Sequence, residues 1–170
     1  MAMEICIQIH MGIVFFTPWR QIQARAICPS DPLVYNELGV VAYHMKEYQK
    51  AAQWFEMTLV NVSSSMSEIW EPTVVNLAHA QRKLKMYQKA ISSYEKALAL
   101  STRSLSAYAG LAYTYHLMDN LDSAVKFYHK ALCLKPEDQF CTEMLTMALE
   151  EQGRSGSLVH ESLCGYVGCC

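Results

Sequence analysis

The side chains best suited to chemistry in this chain include a histidine and three cysteines near its C-terminal end. His160, Cys164, Cys169 and Cys170 are residue types that bind zinc through imidazole and thiolate groups. Their spacing matches no zinc-binding pattern, and two adjacent cysteines are poor partners for tetrahedral coordination. We therefore expect no metal and no cofactor, and we interpret this segment as part of an unstructured tail.

Four further histidines lie in segments with helical periodicity and are the remaining candidates for catalytic groups. His44, His79, His116 and His129 share no helix face with a nucleophile or a paired carboxylate. The sequence also contains no glycine-rich loop of the kind that binds phosphate. These observations predict a protein that is not an enzyme.

A repeat of 34 residues organises the segment that must position these side chains. Leucine, alanine and tyrosine recur at this interval in the middle of the chain, and the same pattern occurs once more upstream at an interval of 39 residues. A 34-residue period with leucine, small and aromatic positions in this order is typical of the tetratricopeptide repeat. It predicts an all-α protein, a right-handed superhelix of antiparallel helix hairpins that stack on one another. The matching residues are Leu38, Leu77 and Leu111; Ala51, Ala90 and Ala124; Phe55, Tyr94 and Tyr128.

The repeat pattern also predicts the domain organisation. Residues 1–22 form an apolar segment without repeat character, in which the apolar run is shorter than the ~20 residues that span a bilayer. Residues 23–151 form the tetratricopeptide domain, and residues 152–170, which begin with a glycine- and serine-rich run, form a disordered tail. The domain contains a partial repeat at 23–31, repeats at 32–65, 71–104 and 105–138, and a capping helix at 139–151. The expected helices lie near 32–45, 48–61, 71–84, 87–100, 105–118, 121–134 and 139–151.

Composition narrows the range of partners and compartments. The formal net charge of -2 provides no basic field to attract nucleic acid, so we expect no nucleic-acid partner. The apolar N-terminal segment is also a poor signal peptide, and we expect no membrane partner. The seven cysteines form no CxxC pair and no short secreted framework. We interpret them as reduced thiols of an intracellular protein.

Helical register predicts one surface suited to binding a peptide. The first helix of each hairpin should line a concave groove with aromatic, amide, histidine and cationic side chains, which suits an extended or helical peptide. Ordinary solvated helix faces are the alternative, since binding energy is concentrated in a minority of residues even in true interfaces. The predicted groove residues are Asn36, Val40, Tyr43, His44, Asn76, His79, Arg82, Lys83, Tyr113 and His116.

Several runs of residues go beyond what the repeat requires. Cys28-Pro29-Ser30-Asp31-Pro32 and Trp70-Glu71-Pro72 are not dictated by the fold. Together with Asn36-Glu37-Leu38-Gly39, Arg82-Lys83-Leu84-Lys85 and the run from Ala107 to Leu134, they resemble the C-terminal repeats of the family of subunit 6 of the anaphase-promoting complex. The resemblance covers about residues 23 to 150.

The resemblance implies a scaffold subunit of a ubiquitin ligase that directs mitotic protein degradation. In that family the C-terminal superhelix holds the N-terminal segment of a small accessory subunit in its groove, and N-terminal repeats form the homodimer. The implied partners are other subunits of the complex, in the nucleus and the cytoplasm. This chain has no counterpart of the dimerising repeats, so we expect a truncated form that does not homodimerise.

A peptide-binding adaptor of the co-chaperone type is the main alternative. Such modules bind a C-terminal carboxylate with a set of Lys, Asn and Arg residues on their first helices. Here the first-repeat positions carry Asn36 and Val40, and the third-repeat positions carry Ser106 and Gly110. Only Asn76 fits that set, and one amide cannot neutralise a carboxylate.

Overall fold

The computed structural model describes residues 31–62 and 67–164, with side chains through residue 154. The predicted non-repeat segment 1–22 and nearly all of the partial repeat 23–31 lie outside the described residues. The described chain forms two compact units, divided between Thr102 and Arg103. The helices of the first unit are α1 (Pro32–His44), α2 (Tyr48–Asn61), α3 (Glu71–Lys83) and α4 (Tyr87–Leu100); those of the second are α5 (Leu105–Leu117), α6 (Leu121–Leu134) and α7 (Gln139–Cys164).

Local sequence signals explain where the helices of the first unit begin. Asp31 caps α1 by accepting a hydrogen bond from the backbone N–H of Leu33, and Pro32 occupies the first helical position. A short 3-10 helix, Glu68–Trp70, leads directly into α3, and the Ser67 hydroxyl caps it. The 3-10 turn was not predicted from the sequence, whereas the starts of α1 and α3 are as predicted.

Small residues let the two helices of each hairpin approach closely. In the first unit Ala51 and Ala90, the repeat-equivalent alanines of α2 and α4, are completely buried. The aromatic side chains Phe55 and Tyr94 are also completely buried one turn later. Thr58, at the position where the other two repeats carry Ala97 and Ala131, is buried as well, and its hydroxyl donates to the backbone carbonyl of Trp54 at 3.0 Å. The predicted register of these hairpins is therefore confirmed.

Each hairpin turn has the same backbone conformation. Lys46, Lys85 and Asp119 have φ values of 63°, 61° and 61°, in the left-handed region that non-glycine residues adopt only at a cost. In the first turn the N–H of Lys46 donates to the carbonyl of Tyr43, and that of Glu47 to the carbonyl of Ala42. The same pair of bonds recurs in the other two turns, and it satisfies carbonyls that the helix end leaves without partners.

The second unit contains one hairpin and the long helix α7. Ala124, Tyr128 and Ala131 of α6 are completely buried, as are Cys141 and Ala148 of α7. These residues form one apolar cluster, so α7 covers the hairpin as the predicted capping helix should. Asp138 starts α7 by accepting a hydrogen bond from the backbone N–H of Cys141 at 3.0 Å.

The predicted end of the capping helix at residue 151 is wrong, because α7 continues to Cys164. The disordered tail expected from residue 152 onward is therefore helical through residue 164, and residues 165–170 lie outside the described residues. Gly153 has open space around it, so it meets no steric obstacle within α7. Glycine costs a helix only ~1 kcal/mol relative to alanine, which does not stop a helix that is already anchored by packing.

The described part of the chain is helical, and the predicted all-α tetratricopeptide architecture is confirmed. Within these residues no helix is both long enough and apolar enough to cross a membrane.

Candidate peptide-binding groove

The predicted groove residues are divided between the two units. Eight lie in the first unit, at exposed or half-buried positions of α1 and α3. Two of them, His44 and Lys83, are the last helical residues before a hairpin turn. Tyr113 and His116 lie on α5 in the second unit. The structure brings α1 and α3 together through side-chain contacts described below, so the first unit has a polar surface formed by two neighbouring helices.

Asn36 links the first helices of successive hairpins. Its side-chain Oδ1 accepts a hydrogen bond of 2.8 Å from the hydroxyl of Thr73, which is buried at the start of α3. Its Nδ2 donates to the carboxylate of Glu37 at 3.3 Å. Since both ends of the amide have partners within the chain, Asn36 stabilises the packing of α1 on α3.

Tyr43 is the aromatic side chain of this surface. Its ring meets that of Tyr48 edge-on, with 5.3 Å between centroids, and it packs with Val40 against the core of the first two hairpins. Burial raises the pKa of Tyr43, and the positive charge of Arg82 on α3 acts in the opposite direction. The charge of Arg82 on α3 therefore acts on Tyr43 of α1. The exposed His44 ring meets the Tyr43 ring edge-on, with 6.3 Å between centroids.

His79 and Arg82 both contact the buried hydroxyl of Tyr94. The distance is 2.6 Å from His79 Nδ1 and 3.5 Å from Arg82 Nε. Burial, followed by the charges of Arg82 and Lys83, lowers the pKa of His79 to about 4. The imidazole is therefore neutral at pH 7, and the positive charge of this part of the surface comes from Arg82 and Lys83.

Two predicted residues offer polar groups without internal partners. Asn76 is half-buried on α3, and its amide has no hydrogen-bond partner among the described residues. Lys83 is exposed at the end of the same helix. Both groups are available to a ligand, whereas the Asn36 amide is already engaged.

The two predicted residues of the second unit face the capping helix. The Tyr113 ring meets the Phe140 ring edge-on, with 5.7 Å between centroids. His116 Nε2 lies 2.9 Å from the Glu151 carboxylate, and its Nδ1 lies 3.5 Å from the Tyr128 hydroxyl. These side chains hold α7 against α5, a structural contribution that the groove prediction did not include.

Sequence reasoning missed the residues behind this surface, namely the aromatic side chains of the second helices. The buried hydroxyls of Tyr94 and Tyr128 each have a polar partner on the preceding helix. In the first hairpin the equivalent residue is Phe55, and its facing positions carry Val40 and Tyr43. The sequence contains one signal of these contacts: the same repeat position is Phe in the first hairpin and Tyr in the other two. A buried Tyr hydroxyl needs a hydrogen-bond partner, which a Phe ring does not.

The described residues offer no metal centre. They contain no group of three or more His, Cys, Asp or Glu side chains that could hold an ion. Cys133 and Cys141 are free thiols, the first exposed and the second buried. Burial, followed by the hydrogen bond to Asp138, raises the pKa of Cys141 to about 12, so this thiol is not a nucleophile at neutral pH. The side chains of the C-terminal histidine and cysteines lie outside the described residues.

Comparison with known proteins supports the repeat assignment independently. A family model described as "Tetratricopeptide repeat" matches residues 72–103 and 105–138. The chain is 65% identical over 143 residues to anaphase-promoting complex subunit 6 of Arabidopsis thaliana, a match that covers 84% of this chain and 26% of that protein. It is 38% identical over 132 residues to the cell division cycle protein 16 homolog of Homo sapiens, covering 75% of this chain and 21% of that protein.

A solved structure agrees with these relatives. The crystal structure of the APC/C hetero-tetramer Cut9-Hcn1 contains a chain that superposes with a TM-score of 0.73 at 33% identity, over 76% of this chain and 26% of that chain. This chain thus spans about a quarter of the length of the relatives it matches. It belongs to the tetratricopeptide-repeat proteins, and within them to the family of anaphase-promoting complex subunit 6, whose C-terminal repeats it matches.

Proposed function

We propose that this chain is a non-catalytic scaffold of the anaphase-promoting complex, which supports ubiquitin-dependent protein degradation in mitosis. The observation that carries the proposal is its 65% identity over 143 residues to subunit 6 of Arabidopsis thaliana. Identity at this level extends to surface positions that the repeat does not constrain, and those positions decide which partner binds. For a subunit of such a complex we expect a location in the nucleus and the cytoplasm.

The partner we propose for the groove is a peptide segment of a small accessory subunit, a counterpart of Hcn1. The related Cut9 was solved in one hetero-tetramer with Hcn1. The surface of α1 and α3 has the groups such a segment requires: the Tyr43 ring for an apolar side chain, the Asn76 amide for the peptide backbone, and two cations.

Affinity purification of the tagged full chain from dividing cells, followed by mass spectrometry, tests the assignment. We expect other subunits of the complex, including the counterpart of Hcn1. Recovery of heat-shock chaperones in their place would refute the scaffold and favour the co-chaperone-type adaptor. Recovery of neither group would refute both.

A second experiment tests the groove itself. We expect Arg82→Ala to weaken binding of the accessory-subunit peptide by ~1–3 kcal/mol, the range for truncation of an interface anchor. Lys89→Ala is the matched control, because Lys89 is an exposed cation on the neighbouring helix α4 and outside the predicted groove. Isothermal titration of both variants against the same peptide distinguishes a local contact from a general charge effect. Equal loss in both variants, or loss in neither, would refute the groove assignment.

Tyr113→Ala is a weaker test of the groove than Arg82→Ala. Its ring packs against Phe140, so its truncation also loosens the capping helix. Any loss of peptide binding in this variant must therefore be compared with its loss of thermal stability.

A further inference from the structure

Lysines of the first unit occupy two kinds of position at which a lysine is locally unfavourable. Lys46 and Lys85 have the left-handed backbone conformation of the hairpin turns, with φ values of 63° and 61°. Glycine or asparagine is the residue that best adopts this conformation after a helix. Lys50 and Lys89 are the third residues of α2 and α4. The helix dipole is positive at this end, so a cation in the first turn is disfavoured.

The hairpin of the second unit follows local preference at the same repeat positions. Its left-handed turn residue is Asp119, a type that adopts this conformation more readily than lysine does. Asn120 caps α6, and Asp122 places a carboxylate in the first turn of that helix. Ser123 is the third residue of α6, where α2 and α4 have lysine. The repeat therefore does not require lysine at either position.

Stabilisation of the helix ends does not explain the four lysines. The helix dipole favours a cation next to a helix C-terminus, which accounts for part of the choice at Lys46 and Lys85. The same dipole opposes Lys50 and Lys89. Of the four, Lys50 alone has a carboxylate partner among the described residues, Glu47 at 2.9 Å, and this ion pair is exposed. Exposed ion pairs add little stability, so pairing within the chain is not the reason for these lysines.

The two hairpin turns lie beside each other at one edge of the first unit. The charge of Arg82, near the end of α3, acts on Tyr43, near the end of α1, and the two hairpins share one apolar cluster. Residues 43–51 and 81–90 contain six Lys and Arg side chains and one carboxylate, that of Glu47. Since the whole chain has a formal net charge of -2, this edge is a local concentration of positive charge. Its four turn lysines, here called the basic edge, are Lys46, Lys50, Lys85 and Lys89, and all are exposed.

We propose that the basic edge binds an acidic segment of a partner protein, in which several Asp or Glu side chains follow one another closely. Residues that violate local preference without a structural gain are expected at functional sites. Exposed ammonium groups attract carboxylates and lose little hydration in doing so. None of the four lysines belongs to the predicted groove, so the proposal goes beyond the proposed function and does not depend on it.

A nucleic acid fits this surface less well than an acidic segment does. Carboxylates occur where α1 and α3 begin, at the opposite end of the unit, and these are Asp31, Glu68 and Glu71. They repel a long polyanion, and the net charge of the chain does the same. A short acidic segment contacts the basic edge alone.

Fluorescence anisotropy of the full chain with a labelled acidic peptide tests the proposal. The probe is a short peptide of alternating glutamate and alanine with blocked ends. The same peptide with glutamine in place of glutamate is the control for charge. A single-stranded thymidine oligonucleotide with the same number of negative charges tests the alternative occupant.

Two pairs of substitutions at the basic edge separate binding from folding. Lys46→Gly with Lys85→Gly places glycine in the left-handed conformation, so the melting temperature should equal or exceed that of the wild type. Lys50→Glu with Lys89→Glu reverses two charges and places carboxylates where the helix dipole favours them. Neither pair should lose binding because it unfolds.

The matched control for charge is Lys96→Glu with Lys126→Glu. Both are exposed lysines, on α4 and α6, outside the basic edge. This pair changes the net charge of the chain as much as Lys50→Glu with Lys89→Glu does. It therefore measures the effect of net charge alone.

We expect the glutamate peptide to bind, the glutamine peptide not to bind, and affinity to fall as salt screens the charges. The glycine pair should weaken binding about threefold and the glutamate pair on the order of tenfold, as for the loss of two exposed ion pairs and their reversal. The control pair should change it less than about twofold. Absence of glutamate-peptide binding, unchanged affinity in both edge variants, equal loss in the control pair, or tighter binding of the oligonucleotide would overturn the proposal. A lower melting temperature of the glycine pair would show that Lys46 and Lys85 stabilise the turns, and it would overturn the proposal too.

Discussion

Replacing Gly39 by alanine tests the packing of the first hairpin at a single atom. A Cβ atom added at Gly39 would lie 2.6 Å and 2.7 Å from two carbons of the Phe55 ring. Contacts this short require something to move, and the Phe55 ring is completely buried in the core of the first two hairpins. Glycine is otherwise unfavourable in the middle of a helix, and this close approach of the Phe55 ring explains its presence at position 39.

Two opposing effects set the change in the free energy of unfolding that Gly39→Ala causes. Alanine in place of a mid-helix glycine gains ~1 kcal/mol of helix propensity. Overpacking a core costs ~1–3 kcal/mol. The Phe55 ring has no solvent-exposed side into which it could move, so we expect the steric effect to dominate and Gly39→Ala to destabilise the chain by up to ~2 kcal/mol.

Urea unfolding of the full chain measures this difference. Gly153→Ala is the matched control, because Gly153 is also helical but has no atom within 4 Å of the added Cβ, and it should gain ~0.5–1 kcal/mol. Adding Phe55→Leu should remove most of the penalty at Gly39, which a double-mutant cycle would show as coupling. If Gly39→Ala stabilises the chain as much as Gly153→Ala does, the close contact is not the reason for glycine here.

Ala90→Trp should cost ~1–3 kcal/mol or more, because this position is completely buried, while Lys89→Trp at the exposed neighbour should stay within ~0.5 kcal/mol in thermal melts. For His79 the folded pKa of about 4 lies below the unfolded 6.5, so the unfolded state binds more protons between these values. Stability should therefore fall by up to ~3 kcal/mol as the pH drops from 6.5 to 4, and His79→Gln should lose this part of the slope in urea titrations at each pH. Alkylation by iodoacetamide at pH 8, followed by peptide mass spectrometry, should modify Cys133 well before Cys141, and equal rates would contradict the packing of α7.

The order and register of the helices were predictable because the repeat constrains them at many positions at once. Ala51, Ala90 and Ala124 recur where two helices cross, and a larger side chain at any of them would separate the helices. The Asp31-Pro32 pair marks the start of α1 by local chemistry that needs no tertiary contact. Such signals are contained in a few neighbouring residues, so they can be read without the structure.

The end of α7 could not be predicted in the same way. Gly153 and the glycine- and serine-rich run after it indicated a linker, yet the helix continues to Cys164. A glycine makes a helix less stable than an alanine does by only ~1 kcal/mol. Upstream of Gly153, the packing of residues such as Cys141 and Ala148 against the last hairpin anchors the helix. Sequence patterns underestimate this cooperative effect, since it depends on contacts made elsewhere in the helix.

For the candidate groove, sequence alone established the list of side chains, whereas tertiary structure decided what each of them does. Register placed Asn36, His79 and His116 on the first helices, and they lie there. Only the packed structure shows that Asn36 bonds Thr73, that His116 bonds Glu151, and that His79 contacts the buried Tyr94 hydroxyl. The physical reason is that a helical period specifies the direction of a side chain, whereas the group it meets belongs to another helix, brought there by the burial of apolar surface.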